Sequence, residues 1–237
     1  MTVVVGFLHP ADSINPKFRK SLTEVYLRDA YTTQRILGEF DYTSGPNIAA
    51  GRCAIVTLFL NHPAKPDWLW MVDSDMTFDD DILDRLEKAA DPVERPIVGA
   101  LCFGVRPVKV DGVEQFDELG AGPLELFPTI YMLDRDGNMW HYMTYPRDEL
   151  VQVHSTGAAC VLVHRSVLAD ERWQLDHPLP WFRESVHHGQ LCSEDHFFMV
   201  NAGAMGYPIF VDTSVKTGHV KSFVAGERLF LAQRGQS

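Results

Sequence analysis

A short apolar run, Trp68-Leu69-Trp70-Met71-Val72, that breaks into Asp73-Ser74-Asp75 most constrains how this chain folds. Such a run reads as a buried strand that delivers two carboxylates at its C-terminal end. Residues i and i+2 of an extended segment point to the same side, so Asp73 and Asp75 converge. Two hard oxygen donors placed together suit Mg2+ or Mn2+. The C-terminal edge of a parallel sheet is also where α/β proteins bind ligands. An acidic strand-to-helix turn, with Thr77 or Asp79 as helix cap, is the plainer reading of the same residues.

The surrounding pattern is that of an open α/β fold. Thr2–Leu8 reads as a first strand. Residues 17–38 show roughly helical spacing of Phe18, Leu22, Val25, Tyr26, Ile36 and Leu37, ending at Gly38. Asn47–Leu60 repeats the pattern, with Ile48, Ile55, Val56 and Phe59 expected to face inward. After the Asp-x-Asp strand, Asp79–Ala90 predicts a third helix with acids in its first turn, where the macrodipole favours them. Pro96–Leu101 reads as another strand. Strand, helix, helix, strand, helix, strand implies a mainly parallel sheet.

Beyond Arg106 the pattern changes. Residues 107–127 are rich in Gly, Pro and acids and read as a long loop. Thr129–Leu133 and Met139–Thr144 flank a turn at Asp134–Asn138 and predict a hairpin. Leu150–His154 and Ala158–His164 predict two strands, Cys192–Met205 a helix and Pro208–Asp212 a closing strand. Trp181 and Phe182 lie in a Pro-bounded segment, suited either to stacking on a sugar face or to the core. One domain is expected, dividing near residue 106 into halves over 1–106 and 107–237.

Composition narrows the function classes. A formal charge of −11 disfavours nonspecific binding to nucleic acid or an anionic membrane, because neutralising phosphates needs a basic surface. No apolar run approaches the roughly 20 residues of a membrane span. The first strand is too short, and lacks the basic flank, for a signal peptide. Cys53, Cys102, Cys160 and Cys192 form no Cys-x-x-Cys pair and read as reduced, buried thiols of a cytoplasmic protein.

The segments GRCAIVTLFLNHPAKPDWLWMVDSDMTFDDDIL and PIVGALCFGVRP, with SEDHFF and GHVK further on, resemble the GT-A glycosyltransferases, in particular small bacterial and phage-type, family 2-like members. The resemblance runs from about position 45 to 221 and skips 107–150. It implies a Rossmann-like nucleotide-diphospho-sugar transferase fold, with a smaller antiparallel part, that uses Mn2+ or Mg2+ and a UDP- or GDP-sugar donor, residues 1–106 forming the nucleotide-sugar-binding half and 107–237 the acceptor-binding, catalytic half. Asp75 would ligate the metal and Asp73 would contact the ribose or a metal-bound water. His219 would be a further metal ligand, and Lys221 would help neutralise the diphosphate. Asp195, and after it Glu194, matches the carboxylate that takes the acceptor's proton in inverting members, Ser193 serving otherwise as a helix cap. Arg52 matches an Arg facing the nucleotide or the Asp cluster, Arg106 is placed to contact phosphate or acceptor, and His9-Pro10 lies where the base and ribose sit. His196 is expected to be structural.

The implied activity is transfer of a single sugar to a hydroxyl of a glycan, protein or small molecule. The Gln-x-x-Arg-Trp motif of processive synthases is absent. A nucleotidyltransferase acting on a sugar phosphate would be expected to carry a Gly-rich basic loop after its first strand. Here Gly6–Ser13 has one Gly and no Lys or Arg. A non-catalytic nucleotide-sugar-binding module is the remaining class.

Overall fold

The structure, a computed structural model, describes residues 1–10, 14–45, 47–110, 113–114, 124–187 and 190–221. The main sheet has seven strands: β1 (Val3–His9), β2 (Ile36–Thr43), β3 (Trp68–Val72), β5 (Ile97–Leu101), β12 (Leu150–Val153), β14 (Cys160–His164) and β17 (Ile209–Lys216). Their spatial order is β12-β17-β5-β14-β3-β1-β2. β1 pairs in parallel with β2 and β3, and β17 with β5, while β14 and β12 run antiparallel to their neighbours. Five strands therefore run one way, and strands from both sides of residue 106 interleave in the same sheet.

The helices are α1 (Pro16–Tyr31), α2 (Ile48–Leu60), α3 (Ile82–Ala89), α4 (Arg165–Leu168) and α5 (Glu194–Ala204). The smaller strands are β4 (Met76–Thr77), β6 (Phe103–Pro107), β7 (Lys109–Val110), β8 (Val113–Glu114), β9 (Leu124–Pro128), β10 (Ile130–Leu133), β11 (Met139–His141), β13 (Ser155–Thr156), β15 (Ser185–His187), β16 (Gln190–Cys192) and β18 (Gly218–His219). Alternation in β3 sends Trp68, Trp70 and Val72 to a core shared with α1 and α3, and Leu69 and Met71 to one shared with α2, α4 and α5. Both faces of β3 are buried, as its unbroken apolar run predicts.

Helix α2 lies unusually close to β1. A Cβ on Gly6 would meet Ile55 Cγ2 at 2.5 Å, and one on Gly51 would meet Leu8 Cδ2 at 2.8 Å. Asn47 caps the helix, its side chain accepting from Ala50 N at 3.0 Å. Two glycines thus seat α2 against the sheet and bring Arg52 to the C-terminal edge of β1 and β3.

Several sequence expectations are corrected. The helix predicted over 17–38 stops at Tyr31, because the Asp29 carboxylate accepts from Thr33 Oγ1 at 2.6 Å and from Ile36 N at 3.0 Å. Gln34 adopts a left-handed φ of 51°, and Ile36 and Leu37 open β2. β2 went unread because it is an edge strand with mostly exposed side chains, so no apolar alternation marks it. Ile48 does not face inward and is half exposed. Part of the expected loop at 107–127 is strand: β6 and β9 pair from Phe103↔Pro128 to Pro107↔Leu124, while 111–112 and 115–123 lie outside the described residues. Cys192 belongs to β16, and α5 begins only at Glu194. Trp181 and Phe182 are core: Trp181 Nε1 donates to the Leu168 carbonyl at 2.9 Å, and Phe182 stacks on Phe198 at 4.8 Å. The hairpin is present as β10 and β11.

Gly6→Ala is expected to cost about 1–3 kcal/mol in urea unfolding through overpacking. Ile55→Ala alone should cost roughly 2–5 kcal/mol. If the clash is the cause, the two losses combine to less than their sum; strict additivity would show that Ile55 does not set the limit at Gly6.

Candidate functional site

Asp73 follows β3 directly, its N–H donating to the Ala159 carbonyl at 2.9 Å. Its carboxylate accepts from Arg52 Nη2 at 3.0 Å. Arg52 is buried, and Nη1 donates to the Ala158 carbonyl at 3.1 Å while Nε faces Glu194 Oε1 at 3.3 Å. The guanidinium also stands 5.8 Å from the Phe182 ring centroid. One buried cation therefore ties the Asp-x-Asp turn, the β13–β14 turn and the start of α5 together. Burial works against its charge, but Asp73, Glu194 and Asp195 outweigh it and hold the guanidinium pKa up. Burial pushes Asp73 up against the pull of Arg52, and it pushes Glu194 up as well.

Asp75 is held from the C-terminal side. β18 pairs antiparallel with β4, setting His219 opposite Met76, and Val220 N donates to the Asp75 carbonyl at 2.8 Å. Gly218 is required there, because a Cβ would meet Thr77 Oγ1 at 2.4 Å. The Asp75 carboxylate oxygen Oδ2 accepts from His219 Nε2 at 2.9 Å and Lys221 Nζ at 2.8 Å. Burial raises the Asp75 pKa, but these bonds prevail and hold it at about 2. His219 Nδ1 lies 2.8 Å from the Phe103 carbonyl, an acceptor only, so Nδ1 carries a proton. Nε2 faces the Asp75 carboxylate, and the ring must give up any proton held there before that nitrogen can ligate a metal. The pKa of the ring is raised, first by the Asp75 bond and against desolvation.

Asp195 sits in the first turn of α5. Its Oδ1 accepts from Ser193 Oγ, so Ser193 bonds a side chain rather than capping the helix backbone. The His196 N–H donates to the same oxygen at 2.8 Å. Burial pushes Asp195 up, but His196, Arg52 and Ser193 together hold it below the ordinary carboxylate value. Oδ2 has no hydrogen bond among the described residues, and it lies 3.5 Å from where a Cβ of Gly157 would stand. His196 is oriented by Ser155, Nδ1 to Oγ 2.7 Å, and by the Tyr131 ring at 4.2 Å.

The structure thus gathers Asp73, Arg52 and Glu194 into one cluster and Asp75, His219 and Lys221 into another, with Asp195 coupled electrostatically to the first. Arg106 is engaged elsewhere: it donates to Glu125 Oε2 at 2.9 Å and stacks over Phe127 at 5.0 Å. His9 Nε2 meets Asp41 Oδ1 at 2.5 Å on the neighbouring strand end. Among the described residues no group of three or more His, Cys, Asp or Glu could hold a metal. Two donors, Asp75 and His219, converge, while Asp73 is turned to Arg52. The Phe103 carbonyl, Ser155 and Tyr131 were not legible as site residues, because each reaches the site through long-range pairing. Three cysteines are buried and Cys192 is half-buried. No helix among the described residues is long and apolar enough to cross a membrane.

No protein-family model and no curated protein matches the chain. Among solved structures, A197 from STIV superposes over 94% of this chain and 87% of its own, with a TM-score of 0.57 and 12% identity. That likeness is one of fold. S. aureus TarS 1-349, in a complex with UDP-GlcNAc, gives a TM-score of 0.45 at 13% identity over 95% of this chain, which spans 60% of the TarS chain. A glycosyltransferase involved in the glycosylation of the major capsid of PBCV-1 gives 0.39 at 11% identity, over 99% of this chain and 100% of that one.

Arg52→Met leaves two carboxylates facing each other without their cation. Removing one partner of a buried pair costs about 3–5 kcal/mol, and the partly exposed Asp73 places this variant near the lower bound. The melting temperature is expected to fall by roughly 6–12 °C at 2–4 °C per kcal/mol. A shift within 1–2 °C, on the order of the scatter for neutral surface changes, would show that Arg52 is not the tie between these elements.

Proposed function

We propose that this protein is a metal-dependent glycosyltransferase that moves one sugar from a UDP- or GDP-sugar to an acceptor hydroxyl. The observation that carries the reading is the pairing of Asp75 Oδ2 with His219 Nε2 at 2.9 Å, beside Lys221 and at the C-terminal edge of the sheet. An Asp oxygen and an imidazole nitrogen whose other nitrogen is pinned by a backbone carbonyl form a donor pair with its outer contact already made. Two protein ligands fit Mn2+ or Mg2+ bound largely through substrate phosphates and water. Asp75 and His219 would hold that ion, which supplies charge stabilisation for the departing diphosphate without a proton.

The chain's own groups do the rest. Lys221 adds positive charge on the same side. Arg52 fixes the orientation of Asp73 and pulls its carboxyl toward the ionised form against burial. Asp195 Oδ2, without a hydrogen bond among the described residues and on a carboxylate held ionised through the neutral range, takes the acceptor's proton. The acceptor oxygen bonds to the anomeric carbon, the bond from that carbon to the diphosphate breaks, and the nucleoside diphosphate leaves with the electron pair.

A thermal-shift series with UDP, GDP, CDP and dTDP, each with and without Mn2+, tests the donor site. One nucleotide at about 100 times its Kd should stabilise by about 2.7 kcal/mol, only with the metal present. Asp75→Ala should abolish that dependence, and a nucleotide shift indifferent to both Mn2+ and Asp75 would sink the assignment. Asp195→Asn should keep the shift and lose about 10²–10⁴ in transfer rate, the usual contribution of a general base. Near-normal transfer would remove Asp195 from the chemistry.

A further inference from the structure

Resting on the transferase reading, we propose that the acceptor is a neutral hydroxyl compound with an apolar face, such as a sugar carrying an alkyl or aryl group. It binds in a cavity of about 610 Å3 between the β10–β11 hairpin, the β15–β16 ribbon and the first two turns of α5.

The cavity adjoins Asp195. Cys192 and His196, which bracket the Ser193-Glu194-Asp195 turn, both line it, and so does Tyr131, whose ring packs on His196 at 4.2 Å. Asp195 spends Oδ1 on Ser193 and the His196 N–H. Oδ2 carries no hydrogen bond among the described residues, and the missing side chain at Gly157 leaves space beside it. Asp195 itself does not line the cavity, so in this proposal the acceptor seated there extends its hydroxyl past Tyr131 and His196 to the unused oxygen. Glu194 instead lines a second cavity, of about 520 Å3, at the start of α2. Glu194 thus opens to a different space from the larger one that Cys192 and His196, the neighbours of Asp195, line.

The chemistry of the lining selects the ligand. Among the described residues no Lys, Arg, Asp or Glu lines the Asp195 cavity. An anionic acceptor would find no cation to pair with its charge and would lie near Asp195, which disfavours it. The two lining histidines are pushed toward the neutral form, each by burial first, which fits the same selection. The hydrogen-bonding groups offered by Asn138, Ser185 and Asn201 are uncharged and suit hydroxyls. The apolar share comes from Tyr131, Met139, Phe197, Val186 and Leu191. Val186 and Leu191 are directly paired across the ribbon and are 72% and 76% exposed, an apolar rim that an alkyl or aryl group would cover. The Glu194 cavity is different, since Arg183 and Glu184 line it and supply charge there.

The test uses the full chain with Mn2+ and a donor panel of UDP-glucose, UDP-galactose, UDP-GlcNAc and GDP-mannose. Acceptors are octyl and p-nitrophenyl hexosides set against the matching hexose 6-phosphates, with product read by mass spectrometry. Transfer to the neutral glycosides and not to the phosphates is expected. Leu191→Glu should raise KM for the glycoside about tenfold or more, the scale on which apolar pocket contacts discriminate, with the Mn2+-dependent nucleotide shift unchanged. Leu191→Met should stay close to wild type, separating loss of the apolar rim from damage to the ribbon. Preference for the phosphates, an unchanged KM in Leu191→Glu, or no product from any neutral glycoside while the nucleotide still binds would each overturn the acceptor assignment alone. Absence of any nucleotide response would remove the transferase reading beneath it.

Discussion

The site depends on one buried guanidinium. Asp73, Glu194 and Asp195 come from β3 and α5, which are 121 residues apart in sequence at their nearest charged groups, Asp73 and Glu194. Three carboxylates brought together at low dielectric repel one another and lose hydration, so their approach requires a compensating charge. Arg52 provides it, and can do so only because α2 packs on β1 without side chains at Gly6 and Gly51. The packing of two glycines thereby sets the electrostatics of the sheet edge. The second acidic group, Asp75, is neutralised separately by His219 and Lys221, so the pKa values of the two aspartates of one tripeptide are moved in opposite directions.

That division bears on chemistry. Asp75 is held ionised beside an imidazole, the donor pair to which the proposed reading assigns the divalent ion. Asp73 is raised by burial and bonded to an arginine, which favours a positioning role over direct ligation. The short β4–β18 ladder is what makes the difference, since it returns the chain to within hydrogen-bond distance of Asp75. A carboxylate with a lowered pKa, Asp195, then stands next to His196, which lines an uncharged cavity, and one with a raised pKa, Glu194, stands against the arginine. Neighbouring acids with separated pKa values are the usual sign that two roles have been assigned.

Much of the framework was legible in the chain. The run Trp68–Val72 announced its strand, because a strand buried on both faces must be apolar throughout. Asn47 before an apolar helical pattern announced the start of α2. The hairpin at Asp134–Asn138 was readable from its turn residues. β2 was not, because an edge strand with exposed side chains leaves no hydrophobic period, and helical spacing ran on into it by coincidence. The pairing of β6 with β9 was hidden for a related reason: its partners are separated by a Gly- and Pro-rich stretch that reads as loop.

The sequence by itself determined that two carboxylates would follow a buried strand at a sheet edge, but not that they would converge: residues 73–75 turn, with the Met76 N–H donating to the Asp73 carbonyl at 3.1 Å, and the two side chains meet different cations. It also determined that the chain carries an acidic surface and an α/β core. Only the tertiary structure decided which cation each carboxylate would meet, that Ser193 would bond Asp195, that Trp181 and Phe182 would be core, and that the cavity beside Asp195 would be lined without charge. The physical reason is range: backbone alternation and capping act over a few residues, whereas ion pairing and desolvation depend on which distant segments the packing brings within a few ångströms.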